Sequence, residues 1–418
     1  MTNRSCSIVL VACIFFVHSV SLTPSAFALS QRDFILLKKI QRDTFEYFLV
    51  HTDPETGLAR DSSRPGAPVS IAATGFALAS FAIASSHGWL SYREAYQKIE
   101  QTFNTLEHKT PKQKGFFYHF LDPKTAKRIW GSEVSSIDTA LLIAGALLAS
   151  SYFPGTSLPQ RAQHLYEQTD WDWMRNNTLL FSHGWKPESG FLPFYWDMYS
   201  EHLILQALAL GSRTHPVPRA VWSEWERVHD AYNGKEIVYA YTGSLFTYQF
   251  SHAFIDFRHL NDGGINYFDN SQKATIANRE FCAAHADEYE SYRNRVWGLS
   301  ACLGPNGYKA YGAKPGNAYH DGTVALHAAI GSIVFTPEES ISAIRTLYEY
   351  DGGRLYGPLG FKNAFNADRD WWTDDYLGVD QGMTFLMLEN FLNDGAIWNR
   401  FMNLPQIKHW IERTALSE

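Results

Sequence analysis

Predicted helices of two kinds alternate along this chain, and that alternation restricts its fold more than any other feature. Six segments are rich in Ala, Gly and Ser and nearly uncharged; they span residues 70–86, 135–151, 199–212, 245–257, 321–335 and 379–392. Six others are amphipathic and charged; they span residues 32–50, 92–108, 158–174, 219–232, 271–293 and 337–350. A helix that is apolar all round must be surrounded by protein, whereas an amphipathic helix covers a surface. The order therefore predicts six inner helices wrapped by six outer ones.

The fold class that this predicts is all-α, an (α/α)6 double barrel formed by a single domain over residues 29–418. The small residues of the inner set would let helices approach closely around a narrow axis, although a plain helical bundle could share that composition. An α-solenoid would need a short repeat, and none is visible. A further helix, residues 399–416, would lie outside the barrel. Short strand-like segments at 115–120 and 307–312 are typical of β-hairpins in loops.

The N-terminus has the pattern of a secretory signal peptide. Arg4 precedes an apolar run from residue 7 to about 20, and Ala26-Phe27-Ala28 forms a small-x-small cleavage signal. We predict that residues 1–28 are removed. Leu10-Val11-Ala12-Cys13 resembles a lipidation box, but cleavage there would leave an unusually short apolar run. No later segment has the roughly 18 apolar residues of a membrane span, so a soluble periplasmic or secreted protein is expected.

Charge and cysteine content limit the partners and cofactors. The chain has 418 residues and a net charge of −7, with Lys and Arg scattered, which argues against nucleic acid or an anionic membrane as the partner. Two of the four cysteines lie in the predicted signal peptide. Cys282 and Cys302 could pair or remain buried thiols, and neither has zinc-site spacing. We predict no metal, no cofactor and a monomer.

Charge is rare on the predicted inner helices and lies mainly at or before their N-terminal ends. The residues concerned are Glu133, Asp138, Glu201, Asp321 and Asp380. If the inner helices run in the same direction, these acids meet at one mouth of the barrel, near helix N-termini that favour anions. Helix capping is the alternative: Ser135 and Asp138 have capping-box spacing, and Asp321 and Asp380 could be N-caps. Capping explains Glu133 less well, and Glu201 could simply complement the helix dipole.

Aromatic residues are dense in the predicted loops at the same helix ends. Aromatic side chains make up 15% of the chain, with 13 Trp. Sugar rings present apolar C–H faces and polar edges, so aromatic faces beside acids suit a carbohydrate cleft. The alternative is that a large barrel needs bulky core residues. From this group we predict that Trp185, Trp196, Tyr199 and Tyr267 bind substrate.

Cleavage of a glycosidic bond needs a proton donor and a second carboxylate that acts as base or nucleophile. The donor must stay protonated near neutral pH, so an apolar environment has to raise its pKa. Glu201 follows the aromatic stretch FLPFYWDMY and has such neighbours. Glu133, in the polar stretch WGSEVSS, should remain ionised. We predict Glu201 as the donor and Glu133 as its counterpart.

With these residues assembled, the chain resembles the glucoamylase-like domain family that includes bacterial endo-β-1,2-glucanases, glycoside hydrolase family 144, and the cyclising domain of cyclic β-1,2-glucan synthases. The resemblance covers nearly all of the predicted mature chain. It rests on SEVSSIDTALLIAGAL (132–147), DWDWM (170–174), HGWKPESGF (183–191), YSEHLILQALALGSRTHP (199–216), FTYQFSHAFIDFR (246–258), NYFDNSQKATIANREFC (266–282), DGTVA (321–325), FTPEE (335–339) and GVDQGM (378–383).

The resemblance implies an (α/α)6 barrel that acts on β-1,2-linked glucose polymers with carboxylates and without a metal. It assigns Glu133 and Glu201 as the leading catalytic candidates. It also implies that five residues bind substrate or organise the site: Asp138, His252, Asp256, Arg258 and Asp380. Without it, His252 would be a core histidine and Asp256 with Arg258 a local ion pair. Trp130 departs from the family, since a polar residue is expected there, and so does Leu326-His327, where Pro-Thr is usual.

Taken together, the sequence predicts a β-1,2-glucanase, with inversion favoured over retention. A polysaccharide lyase on the same barrel would need a basic cleft for uronates, whereas the prominent residues here are acids. A non-catalytic glycan-binding protein would use the acids as caps and the aromatics as platforms. A terpenoid cyclase is disfavoured because Asp374-Asp375 lacks the spaced acids that hold magnesium.

Overall fold

The structure, a computed structural model, describes residues 29–416, so the predicted signal peptide lies outside the described residues. Thirteen α-helices are present in that range. They are α1 Gln31–His51, α2 Ile71–Ser86, α3 Tyr92–His108, α4 Ser136–Ser150, α5 Leu158–Glu167, α6 Leu203–Gly211, α7 Val221–Glu224, α8 Tyr267–Ala284, α9 Leu326–Gly331, α10 Pro337–Glu349, α11 Gly378–Leu392, α12 Ala396–Phe401 and α13 Pro405–Thr414.

The apolar helices form the inner wall and the charged ones cover it. Helix α2 packs between α4 and α11, α4 also contacts α6, and α11 also contacts α9. Outside them, α1 lies on α11, α3 on α2, α5 on α4 and α10 on α9. The residues of α2 from Ile71 to Ala84 are all buried, whereas α3 exposes most of its charged face. The predicted (α/α)6 barrel is confirmed.

Small residues bring α2 and α4 into backbone contact. A β-carbon added to Gly145 would overlap the carbonyl group of Gly75, and one added to Gly75 would overlap the backbone of Leu141. Any side chain at either glycine would therefore force the two helices apart. This close approach is what the Ala/Gly-rich composition of the inner set predicts.

Short strands gather at the N-terminal ends of the inner helices. Val69–Ser70, Val134–Ser135 and Val324–Ala325 run directly into α2, α4 and α9. In chain order the strands are Val69–Ser70, Lys112–Gln113, Phe116–Phe117, Phe120–Leu121, Val134–Ser135, Gly184–Lys186, Gly190–Phe191, His229–Tyr232, Lys235–Val238, Ala301–Gly304, Gly307–Ala310, Val324–Ala325, Tyr356–Gly357, Gly360–Phe361, Ala364–Asn366 and Trp371–Trp372. Their antiparallel pairs hold the loops that surround the barrel mouth.

Two predicted loop hairpins have different outcomes. Ala301–Gly304 pairs with Gly307–Ala310, as predicted for the 307–312 segment. In the 115–120 segment, Phe116–Phe117 pairs with Lys112–Gln113, but Phe120 pairs with Ser70 in a different sheet. That second pairing joins the loop to the start of α2, which sequence patterning does not reveal.

The predicted inner helix at 245–257 is wrong in detail, because it consists of short 3-10 turns over Leu245–Tyr248 and Ser251–Ala253. The segment is rich in Phe, Thr, Tyr and Ser, which are weak helix formers. A side chain in this segment also forms hydrogen bonds with the backbone at the start of α6. The Ser251 hydroxyl donates to the Glu201 carbonyl at 2.6 Å and accepts from the Ile204 amide at 3.0 Å. The segment completes the ring while anchoring the start of α6.

The predicted outer helix at 219–232 is also wrong. Only Val221–Glu224 is helical, and His229–Tyr232 instead forms a hairpin with Lys235–Val238. Asn233 and Gly234, with φ of 47° and 75°, make the turn. Asn-Gly strongly favours a hairpin turn with two positive φ values, and this signal outweighs the amphipathic pattern before it.

Other predicted helices differ mainly at their ends. The 199–212 helix begins at Leu203, and the 321–335 helix shortens to Leu326–Gly331. The 158–174 helix ends at Glu167, the 271–293 helix is displaced to Tyr267–Ala284, and the 399–416 helix divides into α12 and α13. Within the part of the chain that the structure describes, Cys282 and Cys302 are buried and form no disulfide. Over residues 29–416, none of the helices combines the length and apolarity needed to span a bilayer.

Candidate active site

Two adjoining cavities open at the mouth formed by the N-terminal ends of the inner helices, and Glu201 lines both. The first, of about 400 Å³, is here called the acid cavity because Asp61, Asp138 and Glu201 line it together with His119. Its remaining lining residues are Ser62, Arg64, Ser70, Ala72, Phe120, Ile137, Leu141, Phe250, Leu303, Tyr308, Leu377 and Val379.

The second cavity, of about 600 Å³, is here called the aromatic cavity. Its lining residues are His183, Pro193, Phe194, Tyr195, Trp196, Asp197, Met198, Tyr199, Ser200, Glu201, Ala240, Tyr241, Thr242, Phe246 and Thr247. Most of them come from the stretch FLPFYWDMYSE, as the sequence predicts for a cleft wall. Glu201 therefore lies between a cavity that contains several ionisable groups and one that contains many aromatic rings.

Glu201 sits just before α6, and the chain there is firmly held. Its carbonyl accepts a hydrogen bond from Ser251, and its carboxyl accepts one from the adjacent Ser200 hydroxyl. Burial raises the pKa of the Glu201 carboxyl above its usual value of 4.5, and the negative charge of Asp138 raises it further. Burial of this kind favours the protonated form of a carboxyl group. Its pKa shift has the direction that a proton donor needs.

His119 connects two of the predicted acids. Its Nδ1 lies 3.0 Å from Glu133 Oε1, and its Nε2 lies 3.5 Å from Asp138 Oδ1. Burial lowers the pKa of His119, but the charges of Asp138 and Glu133 outweigh that effect and raise it to about 9. The hydrogen bond from His119 lowers the pKa of Glu133 to about 2. At neutral pH, His119 is therefore a cation between carboxylates.

Backbone pairing fixes the place of His119. Its amide donates to the Glu133 carbonyl at 2.8 Å, and its own carbonyl accepts from the Ile71 amide at 3.2 Å. Its ring stacks on Phe120 with the centroids 3.8 Å apart. His119 is not predicted from the sequence because it lies in a bend between two short strands, where no periodicity indicates a role.

Asp138 has both of the roles considered for it. The Ser135 hydroxyl accepts from the Asp138 amide at 3.2 Å, which caps α4, and donates to the Asp138 carboxylate. The same carboxylate lines the acid cavity and faces His119. Glu133 lines neither cavity; its carboxylate is held against His119, which does line one.

Asp61 is a site residue that the sequence analysis missed. Its backbone is fixed by hydrogen bonds with Pro68 and Gly378. Within residues 29–416 its carboxylate has no hydrogen bond or ion pair, although it lines the acid cavity. Burial raises the pKa of Asp61, the positive charge of His119 opposes this, and the negative charge of Asp138 adds to it. Asp61 lies nine residues before the predicted inner helix at 70–86, too far for the helix start to indicate it.

Asp380 lies behind the wall of the acid cavity. Its carboxylate accepts from Asn363 Nδ2 at 2.6 Å and lies 3.2 Å from His327 Nδ1. Burial raises the pKa of Asp380, whereas burial lowers that of His327 to about 3. Its chain neighbour Val379 lines the cavity, but Asp380 does not. Asp321 is likewise buried and accepts from the Thr323 amide and hydroxyl.

Of the aromatic residues predicted to bind substrate, some line the aromatic cavity and others pack outside it. Trp196 lines the aromatic cavity, stacks on His183 at 4.1 Å and donates to the Ser136 hydroxyl at 2.9 Å. Tyr199 also lines it. Trp185 lines neither cavity and packs against Trp173 with the centroids 5.8 Å apart.

Besides Trp185 and Asp380, four more predicted binding residues line neither cavity. His252 is buried among aromatic rings, with Nε2 3.0 Å from the Ser271 hydroxyl, and Tyr267 is buried and donates to Asp262. Asp256 and Arg258 form an ion pair at 2.7 Å. All four lie outside both cavities, so their contact with substrate stays a prediction that the geometry does not support. The interpretation of His252 as a core histidine and of Asp256 with Arg258 as a local pair agrees with the geometry.

The fold and site define a helical barrel with a carboxyl-lined cleft at its mouth, and comparison with known proteins identifies its family. The model of the family described as "Putative glucoamylase" matches residues 193–405. The "putative glucoamylase" of Bacteroides fragilis is 30% identical, with a TM-score of 0.85, covering 94% of this chain and 98% of that one. The chain belongs to this glucoamylase-like family.

Two further relatives carry named activities. The endo-β-1,2-glucanase of Chitinophaga pinensis, solved with sophorotriose and glucose, is 26% identical with a TM-score of 0.86, over 93% of this chain and 98% of that one. The exo β-1,2-glucooligosaccharide sophorohydrolase of Parabacteroides distasonis is 27% identical over 94% of this chain. The chain spans 59% of the length of that curated relative.

Proposed function

We propose that the protein is a glycoside hydrolase that cleaves β-1,2-linked glucan, with Glu201 as the proton donor. The observation that carries this proposal is the position of Glu201, a carboxyl group with a raised pKa at the junction of two cavities. A glycan chain that fills both cavities would place one glycosidic bond beside Glu201. The names of the two relatives support β-1,2-glucan as the substrate class.

The chemistry that we propose is direct displacement with inversion. Glu201 gives its proton to the leaving glycosidic oxygen, while a water molecule attacks the anomeric carbon and passes a proton to an ionised carboxylate on the other side. Glu201 would then regain a proton from solvent. The aromatic cavity would bind the sugar units on one side of the bond, and the acid cavity would bind those on the other side together with the attacking water.

Two carboxylates are candidates for the base. Glu133 is the candidate predicted from the sequence, but its carboxylate is hydrogen-bonded to His119. Asp61 faces the acid cavity directly, and its carboxylate is not engaged by any described residue, so it can accept a proton from water. We therefore favour Asp61 as the base, with Glu133 keeping His119 charged and in place.

A reducing-end assay across glucans tests the proposal. The purified protein should release reducing ends from β-1,2-glucan and not from β-1,3-, β-1,4- or β-1,6-glucan, and NMR of the first product should show the α-anomer. Glu201→Gln should lower kcat by about 10³-fold, within the range for loss of a general acid, while the circular dichroism spectrum is unchanged. The length of the first products separates endo from exo cleavage.

The other classes predict different results in the same assay. A lyase would release unsaturated, ultraviolet-absorbing products from a uronate polymer. A glycan-binding protein would bind β-1,2-glucan without releasing reducing ends. Activity unchanged in Glu201→Gln would remove Glu201 from the chemistry.

The predicted signal peptide supports the further proposal that the protein is exported to the periplasm or secreted. Mature protein that starts at Leu29 in N-terminal sequencing would agree with it, and retention of residues 1–28 would contradict it. A monomer, as expected from the sequence, can be checked by light scattering.

A further inference from the structure

Trp130 has an unusual backbone conformation for a bulky residue. It occupies the first central position of a tight turn, which is closed by a 3.0 Å hydrogen bond from the Ser132 amide to the Ile129 carbonyl. Trp130 and Gly131 have φ values of 57° and 59°. Turns with two positive φ values favour Asn, Asp or Gly at both positions, because a larger side chain crowds its own backbone there. Tryptophan at this position is therefore locally unfavourable.

The Trp130 side chain is also the most exposed of the large hydrophobic side chains in residues 29–416. Its exposed fraction is 72%. Its aromatic neighbour is Phe120, with the ring centroids 5.5 Å apart. Phe120 stacks on His119 and lines the acid cavity. Trp130 thus lies at the rim of that cavity, one ring further out than Phe120.

Trp130 is unfavourable for two reasons: its backbone is left-handed, and its indole ring is exposed to solvent. Its contacts within the protein offset little of either cost. Strained and exposed residues of this kind occur where the conformation serves binding. A flat indole beside a polar cleft suits the C–H face of a sugar ring. The charged pair Arg128 and Glu188 lies on the same loop surface and offers hydrogen-bonding groups to sugar hydroxyls.

We propose that Trp130 is a stacking platform for a glucose unit that lies just outside the acid cavity, and that it sets a preference for longer glucan chains. This inference rests on the proposed function. It adds a specificity-determining residue at a position where the family resemblance predicts a polar side chain. Short substrates that fill only the two cavities would not reach it.

The test compares Trp130→Asn with Trp130→Phe on a length series of β-1,2-gluco-oligosaccharides. For chains long enough to reach the rim, Trp130→Asn should lower kcat/KM about fivefold, whereas the shortest cleaved substrate should be unaffected. Trp130→Phe should keep most of the activity on long chains. Because Asn suits the turn, Trp130→Asn should leave the melting temperature unchanged or raise it.

Tyr92→Asn is the matched control. Tyr92 is 54% exposed and also has one close aromatic neighbour, Phe153 at 4.8 Å, but it lines neither cavity. The Tyr92→Asn substitution should leave the dependence of kcat/KM on chain length unchanged. Equal losses for Trp130→Asn at every chain length, or a lower melting temperature with a parallel loss of activity, would overturn the inference while leaving the proposed function intact. A wild-type protein inactive on every β-1,2-glucan would overturn both.

Discussion

The acid cavity and the aromatic cavity share Glu201 but are built from different materials. The acid cavity contains a group of ionisable side chains among apolar ones, and several of these groups have shifted pKa values because they are close together and partly buried. The aromatic cavity is lined by many aromatic rings, of which Phe194 and Tyr241 are largely exposed. The contrast suggests that chemistry and affinity are separated on the two sides of one carboxyl group. Substitutions on the two sides should therefore affect different kinetic constants.

The largest effect is expected from removing the base in the acid cavity. Asp61→Asn should lower kcat by about 10²–10⁴-fold with little change in KM, because a neutral amide cannot accept a proton from water. Steady-state kinetics on β-1,2-glucan measures this. Added azide should restore turnover to Asp61→Ala and give a glucosyl azide of inverted configuration.

Azide rescue of Glu133→Ala distinguishes the two candidate bases. If azide rescues a Glu133→Ala variant and not Asp61→Ala, then the sequence-based choice is correct and the role given to Asp61 is wrong. A loss in Asp61→Asn of less than about tenfold would also exclude Asp61 as a general base.

The second effect concerns stability of the acid cavity. His119→Ala should lower the free energy of unfolding by about 2 kcal/mol, because it removes charged hydrogen bonds and leaves two carboxylates facing each other. The raised pKa of His119, about 9 against 6.5, means that its contribution is complete below 6.5 and is lost as pH rises through 9. The lowered pKa of Glu133, about 2 against 4.5, gives a contribution that is complete above 4.5 and is lost as pH falls towards 2.

Urea unfolding of wild type and His119→Ala should therefore differ most between pH 4.5 and 6.5 and converge above 9. His229→Ala is the matched control, because His229 Nδ1 also lies 3.0 Å from a carboxylate, Glu236, but on an exposed hairpin. It should change stability by less than about 0.5 kcal/mol. A pH-independent difference for His119→Ala would contradict the charged pair.

A smaller effect is expected in the aromatic cavity. Phe194→Ala should raise KM about fivefold and leave kcat nearly unchanged, because the ring would bind sugar in the ground state and the transition state alike. Stability should change by less than about 0.5 kcal/mol, since the side chain is 63% exposed. Phe34→Ala on α1, also exposed, should leave KM unchanged. A loss confined to kcat would mean that the two cavities are not divided as proposed.

The smallest effect tests electrostatic coupling across the acid cavity. Asp138 raises the pKa of Glu201, so Asp138→Asn should lower that pKa and move the alkaline limb of the kcat profile to lower pH, by less than about one unit. Activity requires protonated Glu201, which is why this limb reports on it. No shift of this limb would show that the two carboxyl groups do not interact. A shift to higher pH would contradict the direction in which Asp138 acts on the pKa of Glu201.

Periodicity predicted the barrel well where helices are long and their composition is unambiguous. Helices α2, α3, α4, α10 and α11 begin and end within a residue or two of the predicted limits. It failed where short-range chemistry competes. The Asn233-Gly234 turn converted a predicted helix into a hairpin, and weak helix formers around Ser251 produced 3-10 turns. Both signals are visible in the sequence, but only to someone who weighs turn chemistry against amphipathicity.

The site was predicted in part for the same reason. Glu201, Asp138, Trp196 and Tyr199 could be found because each lies beside an inner helix start that periodicity marks. His119 lies in a bend between two short strands, and Asp61 lies ten residues before α2, so neither is marked by a helix start. His252 and Tyr267 share motifs with the family but pack into the protein interior. A shared motif does not show whether a residue is accessible, and a buried residue cannot contact a ligand directly.

The sequence alone determined the helical alternation, the barrel that follows from it and the end of the barrel where acids collect, because these depend on local spacing and on which faces must be buried. Only the tertiary structure decided which acids work together. Asp61, His119 and Glu201 come from three separate loops, and their proximity depends on how short strands pair across the barrel mouth. Their pKa values depend on that proximity and on burial, which are properties of the folded chain and not of any segment in it.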